Sequence, residues 1–176
     1  MRKVILYIAM SLDGYIADIN GNVEWLDGYD SEDSYSEFVK DIDTVIMGNK
    51  TYRQIVTELS PNEWIYKDFT SYVITHDIAC QYENVVFYSG SPSTLIRDII
   101  ESDGKNIWIC GGADIVRQLL SDGLIDIFHI SVIPVILGGG VRLFADIDKK
   151  IKLKLLKEKV CNEIIEIIYE ISVLFP

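Results

Sequence analysis

Apolar positions follow two rhythms along this chain. Short, nearly continuous apolar runs occupy residues 3–10 (KVILYIAM), 44–47 (TVIM), 71–75 (SYVIT), 84–88 and 107–110 (IWIC). Such runs, rich in β-branched residues and bounded by turn signals, predict strands covered on both faces. Between them, apolar residues recur at helical spacing. Tyr35, Phe38 and Val39 form one stripe, Leu95, Ile96, Ile99 and Ile100 another, and Ile115, Val116, Leu119 and Leu120 a third. Ser31 or Asp33 is placed to cap the first of these helices, which runs to about Lys40, and Ser93 to cap the second. Another helical pattern starts after Gly48 and continues through Ile55, and Asp122-Gly123 stops the last helix.

The final third changes character. Residues 125–136 read as one long strand, edge-like or bulged at Pro134. A flexible Gly138-Gly139-Gly140 loop follows. Residues 152–160 and 162–174 then alternate weakly around Cys161-Asn162, as a terminal β-hairpin does. The β-branched content of residues 163–171 argues for strand over helix. Alternating strands and helices require parallel pairing with right-handed crossovers, and the closing strands add antiparallel pairing at one edge. The predicted architecture is therefore a single α/β domain over residues 1–176. It has three layers: a mixed, mainly parallel central sheet, helices on both faces, and a C-terminal β-hairpin.

Composition narrows the partners. The chain has 176 residues, 49% hydrophobic and 24% charged, with a formal charge of −11. That charge argues against nucleic acid and anionic membrane surfaces as partners, and requires any phosphate site to be built locally. Cys80, Cys110 and Cys161 are odd in number and widely spaced, so neither a disulfide framework nor a zinc site is readable. The apolar run near the N-terminus is too short for a signal peptide, and no stretch approaches a membrane span. A soluble cytoplasmic protein is expected.

The candidate chemistry lies where strands end. Gly111-Gly112 joins a strand to a helix, and Gly48-Asn49-Lys50-Thr51 repeats that junction. A helix start offers unpaired backbone N–H groups and a favourable dipole to an anion, and glycine lets the ligand approach. The plain alternative is a turn that simply needs glycine. Ser11-Leu12-Asp13-Gly14 leaves the first strand, and His76 ends the third. Asp13 with Gly14 also fits an ordinary turn, and a lone histidine at a strand end also fits a solvated one.

Five motifs, YIAMSLDGYIAD, TVIMGNKTY, YVITHD, WICGGADIV and IPVILGGGVRLF, stand in this order along nearly the whole chain. Their succession resembles the dihydrofolate reductase-like superfamily, in the branch of the C-terminal reductase domain of riboflavin biosynthesis. The resemblance implies NADPH across the strand ends and hydride transfer to a ring substrate in a facing cleft. It implies that Ala9, Ile16 and Ala17 lie near the nicotinamide, and that Gly48, Asn49, Lys50 and Thr51 receive the pyrophosphate. It further implies Thr75 and His76 at the adenosine ribose. Cys110, Gly111, Gly112, Ala113, Asp114, Ile115 and Val116 then form a second phosphate cradle, with a Gly111-Gly112 peptide that is often cis.

Two departures stand out. Asn49 occupies a position where the family often has an arginine to grip the 2′-phosphate, so Lys50 or His76 must compensate or NADH is admitted. The acid of classical dihydrofolate reductases maps loosely to Glu32 or Asp33, with Asp13 as another candidate. Such a carboxylate buried in a cleft would have a raised pKa and could donate a proton. Trp25, Tyr29 and Tyr35 are candidates to line the ring pocket. The function expected is an NADPH-dependent reductase of a pterin- or pyrimidine-like ring, akin to 5-amino-6-(5-phosphoribosylamino)uracil reductase or dihydrofolate reductase. The alternative is a non-catalytic nucleotide-binding protein of the same fold. A homodimer paired through late strands, with residues 125–136 seeking cover, completes the expectation.

Overall fold

The computed structural model describes residues 1–29, 32–77, 82–145 and 147–174, without the side chains of residues 32, 33, 173 and 174. Its strands are β1 (Val4–Ser11), β2 (Tyr15–Ala17), β3 (Ile42–Gly48), β4 (Thr70–Ile74), β5 (Val85–Tyr88), β6 (Asn106–Gly111), β7 (Ile127–Ile133), β8 (Val141–Arg142), β9 (Ile151–Cys161) and β10 (Ile164–Leu174). The helices are α1 (Glu32–Phe38), α2 (Asn49–Gln54), α3 (Pro92–Ile100) and α4 (Ala113–Ser121). Eight strands form one sheet in the order β5-β4-β3-β6-β1-β7-β10-β9, and β2 pairs with β8 apart from it. The six strands from β5 to β7 run parallel, and β10 and β9 add antiparallel pairs.

Period-two alternation divides each strand between two cores. Val4, Leu6, Ile46, Ile107, Ile109, Phe128 and Ile130 point to one face, where α3 and α4 bury Leu95, Ile96, Ile115, Val116, Leu119 and Leu120 on them. Ile5, Val45, Met47, Val73 and Trp108 point to the other, against Tyr52 and Ile55 with Trp64 and Tyr66. Both faces are covered, which is why the early strands read as continuous apolar runs. The three layers and the terminal hairpin are as expected, the hairpin turning at Asn162 and Glu163, both at positive φ.

Several boundaries differ from expectation. Residues 125–136 are not one edge strand. β7 stops at Ile133, because Pro134 has no N–H for the ladder, and lies between β1 and β10. Its apolar faces are thus covered within the chain, and the edges of the sheet are β5 and β9 instead. Ser91, not Ser93, caps α3: its hydroxyl accepts from the Thr94 amide at 3.1 Å, with Pro92 at the first helical position. Asp33 falls within α1 and so is not its cap, while Ser31 lies outside the described residues. Beyond Gln54 the chain widens into a π-helical turn, Ile55–Leu59, which keeps Ile55 in the core. Among the described residues, no helix is long and apolar enough to cross a membrane.

Candidate active site

β3 and β6 are neighbours in the sheet, and Met47 is the register partner of Gly111, so the two strands end side by side. Each passes directly into a helix, α2 after Gly48 and α4 after Gly112, and neither start has a side-chain cap. The first amides of a helix lack partners within it, so both starts leave donors for a ligand. The junctions also converge. A β-carbon on Gly48 would lie 4.0 Å from the Gly112 nitrogen, and β-carbons on Gly111 and Gly112 would lie 3.9 and 3.7 Å from the Thr51 Oγ1. Glycines and one small hydroxyl residue thus shape a shallow cradle that added side chains would fill. The Gly111-Gly112 peptide is cis.

The remaining residues expected here divide by role. Ile115 and Val116 are buried in the core, so the cradle can use only their backbone. Asp114, in the first turn of α4, accepts hydrogen bonds from Arg117 at 2.5 Å and Gln118 at 2.8 Å. The Arg117 bond holds its carboxyl below the usual range. Ala9 is half-buried in β1 opposite Ser131. Ile16 and Ala17 sit in β2, which pairs with β8. Gly140 is needed there, because a β-carbon on it would lie 2.1 Å from the Ala17 carbonyl oxygen.

Beside the cradle, on the α1 face, is an aromatic cluster. Tyr7 stacks on Phe38 at 4.3 Å and meets His129 edge-on at 4.5 Å. The Trp108 ring lies 6.0 Å from Tyr35 and 5.1 Å from Tyr66, and its indole N–H donates to the Tyr7 carbonyl at 2.9 Å. The Tyr66 hydroxyl lies 3.5 Å from the Cys110 sulfur. Cys110 therefore turns its side chain into this cluster. Burial pushes its thiol up to about 11. Burial, and then the neighbouring Cys110, also raise the phenols of Tyr35 and Tyr66. These groups are neutral, protonated hydrogen-bonding partners at neutral pH. Tyr35, at 36% exposure, is the rim of the cluster.

Of the three aromatics expected to line a pocket, only Tyr35 belongs to this cluster among the described residues. Trp25 lies on a short 3-10 turn with its indole N–H buried and without a partner among the described residues, and Tyr29 is half-buried nearby in sequence. Tyr7, Tyr66 and Trp108 were not singled out. For Tyr7 the signal was available, since it shares the strand face of Ala9 two residues on.

The outer corner is built at the end of β4. Thr75 donates its amide to the Tyr88 carbonyl at 2.9 Å, and its hydroxyl accepts from the Asp77 amide at 3.0 Å. The Asp77 carboxylate accepts from Asn49 Nδ2 at 3.4 Å and from Arg53 at 3.2 Å. His76 and Lys50 are exposed.

Asp13 does not have the raised pKa expected of a buried acid. Its carboxylate accepts from the Ser11 hydroxyl at 2.7 Å and the Leu137 and Gly138 amides at 3.1 and 2.8 Å. The Ser11 bond foremost, then the two amides, hold it below the ordinary value. It is an ionised brace between two loops. Asp33 lies in α1 by its backbone, and its side chain, like that of Glu32, is outside the described set. Among the described residues, no group of His, Cys, Asp and Glu is placed to hold a metal.

A buried polar tie that no local sequence pattern marks lies behind the cluster. Ser34 of α1 donates to Glu166 of β10 at 2.7 Å and accepts from Lys159 of β9 at 2.9 Å. His129 lies 3.6 Å from the same Glu166 oxygen. These residues border a cavity of about 310 Å³ between α1 and the hairpin, also lined by Ile5 and Asn106 from the opening ends of their strands.

Known proteins share this chain's sequence and fold. The uncharacterized protein YwjB of Bacillus subtilis is 38% identical over 173 residues, covering 96% of this chain and 97% of its own. A putative riboflavin biosynthesis protein from Shewanella sp. PV-4 superposes with a TM-score of 0.83 at 26% identity, over 97% of this chain and 99% of that one. Dihydrofolate reductase from Enterococcus faecalis, complexed with NADP(H), gives a TM-score of 0.68 at 17% identity, over 97% of each chain, which shows a shared dihydrofolate reductase-like fold. The model of the RibD C-terminal domain family matches residues 2–165, and the chain belongs to that family.

Proposed function

We propose that this protein is a nicotinamide dinucleotide-dependent reductase of a small pterin- or pyrimidine-like ring. One observation carries the proposal: two uncapped helix starts converge on Thr51 at adjoining strand ends, next to a neutral aromatic cluster whose rim is open. The amides at the starts of α2 and α4 would hold the dinucleotide's phosphates. The backbone around Ala9, Ile16 and Ala17 would meet its nicotinamide, which when bound supplies the hydride. Trp108, Tyr7 and Tyr35 offer an apolar wall against which a flat ring can stack and from which water is excluded. Because Asp13 is held ionised, the proton-bearing groups of the cluster among the described residues are the phenols of Tyr35, Tyr7 and Tyr66, the last with Cys110. NADPH is the cofactor the family resemblance implies, and Asn49, Thr75, His76 and Asp77 form the corner that bears on that choice.

A second reading, a non-catalytic nucleotide-binding protein, draws on the engagement of Asp13 as a brace. We also propose pairing of two copies over the hairpin, where Val160 and Ile165 are register partners exposed at 71% and 47%. Titration with NADPH and NADH, followed by quenching of tryptophan fluorescence, tests the cofactor. Micromolar binding of either, followed by its oxidation with a pterin or pyrimidine acceptor, is the expected result. Binding without turnover across both acceptor classes would favour the second reading, and no binding would overturn both.

A further inference from the structure

We infer that Asp77 makes this protein prefer NADH over NADPH. The inference rests on the dinucleotide reading of the cradle and adds a choice between its two forms. If the nicotinamide faces Ala9 on β1 and the phosphates lie over β6 and β3, the adenosine must continue in the same direction, over β4. From β1 to β4 are three inter-strand steps, roughly 14 Å at ~4.8 Å each. β4 closes on Thr75, His76 and Asp77, so the adenosine ribose meets that corner.

The corner is made for a hydroxyl. A carboxylate near the ribose accepts from a free 2′-hydroxyl, whereas a 2′-phosphate needs a cation there. Asp77 is held in place by its own amide bond to Thr75 and by Asn49 Nδ2. Arg53, which could have gripped a phosphate, is paired with Asp77 at 3.2 Å. Asn49 supplies a neutral amide at the helix start. Lys50 and His76 are exposed, as are Arg53 and Asp77, so solvent screens all four charges and only direct contact with the ribose or its phosphate decides the choice. A 2′-phosphate would therefore meet a carboxylate and no uncommitted guanidinium.

The test is the pair of dissociation constants for NADH and NADPH, measured by tryptophan fluorescence and by calorimetry, for the native protein, Asp77→Asn and Arg53→Gln. Asp77 is 68% exposed, so its replacement leaves the fold intact. The native protein is expected to bind NADH about tenfold more tightly, the scale of one or two close charge pairs in water. Asp77→Asn, which frees Arg53, should bring the two constants together by strengthening NADPH, and Arg53→Gln should keep the NADH preference. Tighter binding of NADPH by the native protein would overturn the inference while sustaining the cradle. An NADH preference unchanged in Asp77→Asn would remove the role given to Asp77. Binding of neither dinucleotide would overturn the cradle itself, and this inference with it.

Discussion

The two ends of the parallel strands are built on opposite principles. At the opening end, Arg2 is 7% exposed and its guanidinium is fully committed. It donates to Asp43, to Thr44 Oγ1 at 2.6 Å, to the Lys105 carbonyl at 2.6 Å and to Ser102 Oγ at 3.2 Å. Asp43 in turn accepts from the Lys105 amide at 2.7 Å. One side chain thus fastens β1 to β3, β6 and the end of α3. At the closing end, β3 and β6 finish in glycines, and the helix starts beyond them have no side-chain caps. Polar groups are satisfied where the sheet is held together and left open where a ligand is to be held. The difference separates residues that stabilise from residues that bind.

The largest effect should come from the fastened end. Arg2→Met removes the guanidinium donors from Thr44, the Lys105 carbonyl and Asp43, but Asp43 is 37% exposed and keeps the Lys105 amide, so the loss should be about 1.5–3 kcal/mol. Chemical denaturation should show that loss, while dinucleotide affinity, measured on protein kept below its unfolding midpoint, stays unchanged. A loss of affinity with unchanged stability would reverse the comparison.

Gly48→Ala is the converse. Gly48 has φ −83° and ψ 162°, which alanine adopts, and its β-carbon would lie 3.5 Å from Ile115 Cδ1, an ordinary contact. Stability should change by less than about 0.5 kcal/mol. The methyl group stands between the two helix starts, and affinity should fall about tenfold, or ~1.4 kcal/mol. Unchanged dinucleotide affinity would place the phosphates elsewhere.

The smallest effect concerns the polar tie behind the aromatic cluster. Burial lowers the pKa of His129 below 6.5, against the opposing influence of Glu166. The unfolded chain therefore binds more protons than the folded one between that lowered value and about 6.5, so stability should rise with pH across the window. Denaturation midpoints from pH 5 to 7 should show the rise, and His129→Gln should flatten it. A fall in stability over the same range would mean that the imidazole is charged in the fold.

The parts of this molecule legible in the sequence are those with strong local signals. Strands β1, β3 and β6 announce themselves because both of their faces are buried. The glycine junctions are visible as breaks between an apolar run and a helical pattern, although of Gly48, Gly111 and Gly112 only Gly111 has a positive φ. Pro134 was legible as an interruption, but which strand would lie beside β7 depends on a hairpin some thirty residues later. Asp13 looked like an acid from its position, and only the arrival of the Leu137 and Gly138 amides makes it a brace. Ser34, Lys159 and Glu166 come from three elements and share no local pattern. The Asn49–Arg53–Asp77 corner was half visible, because Asn49 marked a missing charge while the carboxylate opposite it lay in a separate motif.

β9 bears on how this protein meets its own copies. It is one of the two edges of the sheet, 11 residues long, and carries Lys152, Lys154, Lys157 and Lys159 on a chain that is otherwise strongly acidic. A second β9 brought alongside would set lysines against lysines, a known defence against edge-to-edge growth. The hairpin can therefore be covered across its face at Val160 and Ile165, but repulsion opposes adding a ninth strand to its edge. Salt should weaken that defence, since the screening length is only about 8 Å at physiological ionic strength. The sheet thus resists growth at this edge by charge, most strongly in dilute buffer.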